Sequence, residues 1–262
     1  MKGLSPDAVE VETRAIELVH EQAEQLVKEY RGRFGVVVST DQARELFPEY
    51  AGSLESRLRY AAAIQRSAAR LADMVFEQIV QEESGGVALF TAGGTGAGKT
   101  SAILRNAESS QAMAGARVIY DSNFNSFKSA LAKVELALKV ECTVSVVFVH
   151  RHPVEAYLEG VLPRALEQGR TVSIEGHLRM HKDSRSTFLK VQQRLQDTGN
   201  VGFTVLANTG HESEAFRADI DYLRAIKYDD DVVFAAIRKG LDDAYTEGKI
   251  PRSLYEISRG GA

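Results

Sequence analysis

The chain has 262 residues, 44% of them hydrophobic and 26% charged, and a formal net charge of −4. That length suits one large domain or one domain with helical additions, and the mild acidity argues against a broad nucleic-acid footprint, which would need a basic face. Its single cysteine, Cys142, excludes an intrachain disulfide and a cysteine-cluster metal site, which fits a reducing cytoplasm. Cys142 precedes a strongly apolar run and is expected to be packed, not nucleophilic. Charged residues interrupt everything from Pro6 to Arg31, and no run approaches the roughly 20 apolar residues of a membrane helix, so a cytoplasmic protein with no membrane partner is expected.

In chain order, the opening stretch at 1–34 reads as an amphipathic helix. Ile16, Val19, Ala23, Leu26 and Val27 recur at helical spacing, Ser5-Pro6 starts the helix, and Gly32 and Gly35 end it. Val36-Val37-Val38 is a short buried strand that empties into a polar loop, Ser39-Thr40-Asp41. A helical segment follows, interrupted at Pro48. A longer helix at 53–83 carries a core face of Leu58, Ala62, Leu71, Val75, Phe76 and Ile79. After Gly85-Gly86, strands at 87–90, 117–120, 143–149 and 201–206 alternate with helices from about Thr100 and at 126–139. The tail from about Phe216 reads as largely helical, with breaks near Asp229 and at 248–251. Strands alternating with helices predict an α/β fold with a parallel sheet between helical layers.

Gly93-Gly94-Thr95-Gly96-Ala97-Gly98-Lys99-Thr100 matches G-x-x-x-x-G-K-[ST], with a strand before it and a helix after it. The glycines allow positive φ, so backbone N–H groups can curl around a phosphate, and the following helix adds the positive end of its dipole. This is a P-loop for ATP with Mg²⁺: Lys99 reaches the β- and γ-phosphates, and the Thr100 hydroxyl ligates the metal. Ser101 continues the motif. A GTPase would carry an Asn-Lys-x-Asp string, and none is present. A motor ATPase would place an acid after a hydrophobic strand, yet the strand ending at Val149 runs into His150-Arg151-His152. The strand ending at Tyr120 does deliver Asp121. Downstream, Arg151, Arg164 and Arg170 fit an arginine-bearing lid, since forked donors neutralise a transferring phosphoryl group. Solvated helix-face arginines are the alternative reading.

On these residues the chain resembles the zeta-toxin family of P-loop kinases. The similar features are the P-loop through Ser101, the segment Pro163-Arg164-Ala165-Leu166-Glu167-Gln168-Gly169-Arg170, and His177 beyond it. A further likeness is Ser39-Thr40-Asp41-Gln42-Ala43-Arg44-Glu45-Leu46-Phe47-Pro48-Glu49-Tyr50, similar to the family's strand-end segment whose aspartate acts on the acceptor hydroxyl. In the family the P-loop strand comes first; here the Asp41 unit precedes it, so the resemblance implies a rearranged order. It implies a single kinase-like domain, with a core at 35–210, a lid at about 151–185 and C-terminal helices at 211–262. It also implies transfer of a γ-phosphate to a hydroxyl of a nucleotide-sugar or other nucleotide-like acceptor, and an antitoxin or inhibitory partner protein. Two candidates for the general base stand open. Asp41 matches by local sequence and is favoured; Asp121 matches by spacing and is otherwise a substrate or Mg²⁺-shell ligand. A plain N-cap for Asp41 and an Asx-turn for Asp121 compete with these roles. Arg44, Ser122 and Asn123 are candidate acceptor contacts, and Asn208 to Gly210 borders the adenine or simply turns. His177 and His181, four apart, have zinc spacing without a third ligand nearby, which favours lid packing. The competing function is a P-loop ATP-binding regulatory module that switches partner binding with little kinase activity.

Overall fold

A computed structural model describes residues 4–208 and 215–260. Among these residues six strands form one sheet in the order β1-β3-β2-β4-β5-β6: β1 Val37–Val38, β2 Val87–Ala92, β3 Ala116–Asp121, β4 Thr143–His150, β5 Val201–Ala207 and β6 Phe216–Ala218. The first five are parallel, and β6 runs antiparallel to β5 with Val205 opposite Ala218. β2 is buried at every position but its first, the apolar run expected of a strand covered on both faces. The sheet is the parallel, helix-flanked α/β architecture that the alternation predicts. The tail expectation needs one correction, because Phe216 to Ala218 is a strand. Three residues are too few for a periodic pattern, and pairing with the β5 backbone decides their state.

The helices are α1 Pro6–Glu21, α2 Ala23–Phe34, α3 Thr40–Arg44, α4 Pro48–Ala51, α5 Leu54–Tyr60, α6 Gln65–Gln81, α7 Lys99–Arg105, α8 Ala107–Ala114, α9 Phe127–Lys139, α10 Pro153–Glu155, α11 Leu162–Gln168, α12 Ile174–Leu195, α13 Ile220–Ala225, α14 Asp230–Thr246 and α15 Arg252–Ser258. A π-helical turn, Ala156–Val161, joins α10 to α11. The opening helix is two helices, broken at Gln22 (φ −123°, ψ 29°). Gly32 lies inside α2, and Gly35, at φ 62°, is its C-cap. The break resets the phase: α1 buries Ala8, Val11, Ala15 and Val19, while Ile16 is 48% exposed. Residues 53–83 also divide, at Ala61 to Ile64. There Ala63 and Ile64 are fully buried in place of Ala62, which faces solvent.

On one face of the sheet, α6 buries Leu71, Val75, Phe76 and Ile79. Phe76 meets Phe90 and Tyr120 edge-on at ring-centroid distances of 5.6 and 5.2 Å, the arrangement that aromatic quadrupoles favour. Leu89, Ala102, Ile103, Ile119, Val147 and Val149 form a smaller core under α7. A third core joins Tyr157, Val161, Leu162 and Ile174 to Val233, Ile237 and Leu241 of α14 and Leu254 of α15. The C-terminal helices therefore brace the segment between β4 and α12. Edge strand β1 is shielded by α2: the Tyr30 hydroxyl donates to the Val37 carbonyl at 3.1 Å and accepts from the Ser39 amide at 2.8 Å. Backbone groups that would invite another strand are thus partly occupied. Burial pushes the Tyr30 phenol up to about 12, so it stays protonated in that role. Cys142 is buried, as expected, and its thiol points at the Gly85 carbonyl, 3.2 Å away.

Candidate functional site

The carboxyl ends of β1, β2 and β3 deliver Asp41, the P-loop and Asp121 to one end of the sheet, where open parallel sheets place ligands. β2 lies between β3 and β4, while β1, which precedes it in the chain, sits beyond β3 at the edge. Were the unit from β1 to α6 moved to follow α8, the strands would read 2-3-1-4-5 from the edge. The rearranged order is therefore compatible with the sheet without any change in strand position.

The P-loop has the backbone of an anion cradle. Gly93, Gly96 and Gly98 have φ of 139°, 71° and 71°, and Gly98 leads into Lys99, the first residue of α7. Among the described residues, no backbone acceptor is engaged by the amides of Gly94, Thr95, Gly96, Gly98 or Lys99, so a row of N–H donors is left for a phosphate. The outward-facing groups are tied down instead. Asn208 Nδ2 donates to the Ala97 carbonyl at 2.8 Å, and Arg105 holds the Asn208 amide oxygen at 3.1 Å. His181 Nε2 lies 2.9 Å from the Thr95 carbonyl, and the Thr95 hydroxyl 2.6 Å from His177 Nδ1.

The π-helical turn packs directly on the loop. A Cβ at Gly96 would lie 2.0 Å from the Ala156 carbonyl oxygen, and one at Gly160 would lie 2.6 Å from the Gly96 carbonyl oxygen. Two glycines thus permit backbone-to-backbone contact. Gly96→Ala, strained in φ as well, is expected to lower stability by about 2–3 kcal/mol. An unchanged urea midpoint would contradict the contact.

Lys99 Nζ donates to Asn123 Oδ1 at 3.1 Å. Asn123, a candidate acceptor contact by sequence, thus holds the lysine through its amide oxygen. Thr100, in the first turn of α7, is exposed, as is Ser101. The Thr91 hydroxyl donates to Asp121 Oδ1 at 2.5 Å from the neighbouring strand, which orients that carboxylate. Ser122 accepts the Phe124 amide at 3.1 Å, closing a turn at a residue with φ 55°.

Asp41 lies in the first turn of α3, whose N-cap is Ser39, its hydroxyl accepting the Gln42 amide. The plain N-cap alternative for Asp41 therefore falls away. Arg44 Nη1 sits 3.0 Å from Asp41 Oδ1, and Arg170 Nη1 sits 3.8 Å from Oδ2. Arg170 also donates to the Asp41 carbonyl at 3.3 Å and to Glu45 Oε1 at 3.0 Å, while Arg57 holds Glu45 Oε2 at 2.7 Å. The Asp41 side chain is 40% exposed, so water reaches it even though its surroundings withdraw solvent. Burial pushes its carboxyl upward, but Arg44, Arg170, Arg164 and Lys99 together outweigh that and hold it below the usual carboxylate range. Residues from four parts of the chain thus share one electrostatic site. Arg164 makes no hydrogen bond or ion pair among the described residues, and its buried Nε has no partner. Arg151, by contrast, is buried and paired with Glu159 of the π turn, a structural commitment.

His177 is fully buried and His181 partly so, and among the described residues no group of three metal-ligating side chains occurs. Burial pushes the His177 imidazole down to about 4 and that of His181 down to about 3. Below pH 6.5 the unfolded chain therefore binds more protons at these positions than the fold does, so stability falls as pH drops toward the folded values. For His177 alone the loss between pH 7 and pH 5 is expected to be about 2 kcal/mol. Urea titrations at the two pH values check this, and a smaller loss is expected in His177→Asn.

Several contributors lay outside the sequence reading: Glu45, Arg57, Thr91, Gly160 and Arg105. Of the Asn208 to Gly210 segment, Asn208 braces the loop, and Thr209 and Gly210 lie outside the described residues. No helix among the described residues is long and apolar enough to cross a membrane.

No protein-family model matches the chain, and no curated protein matches it in sequence. Among solved structures, a chain from the characterisation of the PezAT chromosomal toxin–antitoxin system of the human pathogen Streptococcus pneumoniae aligns with 93% of this chain and 84% of its own length. The TM-score is 0.42 and the identity 10%, a likeness too slight to say anything of chemistry. Sheet and loop define the chain as an α/β protein of the P-loop type.

Proposed function

We propose that the chain is an ATP-dependent small-molecule kinase resembling the zeta toxins, which moves the γ-phosphoryl group to a hydroxyl of a nucleotide-sugar or other nucleotide-like acceptor. The observation that carries this reading is the field around Asp41, which joins the P-loop lysine, two arginines of the segment after β4 and a carboxylate from before the P-loop. A module that only binds ATP needs the first of these and not the rest. The loop amides and Lys99 hold the triphosphate. The Thr100 hydroxyl would hold Mg²⁺, which when bound would supply charge neutralisation on the phosphate oxygens. Asp41 orients the acceptor O–H and takes its proton as the oxygen bonds to the γ-phosphorus. The bond from that phosphorus to the β,γ-bridging oxygen breaks, and ADP leaves. Arg164 and Arg170 balance charge on the moving phosphoryl group. With its pKa held low, Asp41 is a weak base and contributes mainly by positioning. Asp121 and Arg44 bear on the acceptor. A neutralising protein partner and a cytoplasmic setting belong to the same reading.

The test is incubation with Mg-ATP and a panel of UDP-sugars, nucleosides and NAD, read by mass spectrometry for a gain of one phosphate. Normal ATP binding without any phosphorylated product overturns the kinase and leaves the regulatory ATP-binding module. Loss of ATP binding overturns both.

A further inference from the structure

We propose that His177 and His181 are positioning residues that preset the phosphate loop, gripping Thr95 at two atoms so that the loop amides face inward before a polyphosphate arrives. This rests on the P-loop reading above and adds to it a device on α12.

The hydrogen-bond directions are forced by chemistry. His177 Nε2 lies 2.9 Å from the Pro153 carbonyl, which can only accept, so Nε2 carries the proton. His177 Nδ1 is then a bare acceptor, and the Thr95 hydroxyl 2.6 Å away must donate to it. His181 Nε2 faces the Thr95 carbonyl at 2.9 Å and must likewise be protonated. Two neutral imidazoles on successive turns of one helix, their ring centroids 4.3 Å apart, thereby hold the hydroxyl and the carbonyl of one loop residue. Tyr157 of the π turn meets the His177 ring edge-on at 5.0 Å and fixes its plane. The contact leaves no slack: a Cβ at Gly94 would fall 2.2 Å from the His181 ring.

A carbonyl fixed outward fixes the peptide that bears it, so the amide of Gly96 points the other way. With the Ala97 carbonyl held by Asn208, two of the loop's peptides are oriented before any ligand enters. Binding then spends less free energy on ordering the loop. α12 begins just after Arg170, so the clamp also ties the loop to the segment that carries the arginine beside Asp41.

The experiment uses the full chain, with far-UV circular dichroism confirming the fold of each variant. His181→Leu keeps bulk and removes the donor, and it is expected to weaken Mg-ADP binding about tenfold by calorimetry. His181→Gln restores a donor of similar reach and is expected to bind within about threefold of the parent. ¹⁵N NMR of the parent is expected to report both histidines protonated at Nε2. Faster amide exchange at Gly94 to Gly98 is expected in His181→Leu and not in His181→Gln. Equal Mg-ADP affinity of His181→Leu and the parent overturns the clamp, as does an Nδ1-protonated tautomer at His177. If the parent itself fails to bind Mg-ADP, the P-loop reading falls, and the NMR arm still decides the clamp: unchanged loop exchange overturns it. Should His181→Leu not fold, Thr95→Val takes its place with the same expected loss.

Discussion

Asp41→Asn is expected to lower acceptor-dependent phosphoryl transfer by about 10²–10⁴-fold, the range for loss of a positioned acid–base group, while Mg-ATP binding is retained. The asparagine keeps the side-chain shape and the contact with Arg44 but can no longer take a proton. It also strips the negative charge that Arg44, Arg170, Arg164 and Lys99 surround, so ATP affinity should hold or rise as those cations turn to phosphate. Asp121→Asn is the comparison. Its carboxylate is already engaged by Thr91, and a smaller loss, seen mostly in the acceptor KM, is expected there. Full activity in Asp41→Asn would remove the aspartate from its assigned role and weaken the argument for a rearranged chain. The same assay at lower pH adds a check: a carboxyl held below its ordinary range should keep turnover insensitive to acid until the fold itself fails.

Lys99→Ala is expected to weaken Mg-ATP binding by about 10²-fold and turnover by about 10³-fold or more, because a charge-assisted contact to the β- and γ-phosphates grows as charge develops on the moving group. Its Nζ is held by Asn123 and by no carboxylate among the described residues, so binding requires no ion pair to be broken. Asn123→Ala should therefore reproduce part of the Lys99→Ala loss in kcat and little of its loss in affinity. Mg-ATP binding by Lys99→Ala that equals the parent's by calorimetry would show that the triphosphate sits elsewhere. The phosphate loop would then be a packed turn and nothing more.

The P-loop was readable from the chain because its information is local. Three glycines with positive φ, a lysine and a threonine at a helix start are a short-range pattern. The strands β2 to β5 were readable for the same reason, as apolar runs between breakers. Segments whose state depends on a partner were not. β6 exists through pairing with β5, and the phases of α1 and α6 shift at Gln22 and at Ala61 to Ile64, where packing overrides the helical period.

The candidate site divides along the same line. Sequence by itself determined the glycine-rich loop at 93–100, the α/β class and the candidate residues Asp41, Asp121, Arg164 and Arg170, since each follows from residue types at short spacing or at a strand end. Which of them meet was decided only in three dimensions. The parallel sheet placed β1 beside β3 despite their separation in the chain, and so brought Asp41 into the field of Lys99 and the arginines after β4. The contacts of the α12 histidines with Thr95, the Gly96–Gly160 contact and the tie from Asn208 to Ala97 were not readable beforehand, because each joins residues more than fifty positions apart. Such contacts are set by how helices and strands stack, and stacking is a property of the folded whole.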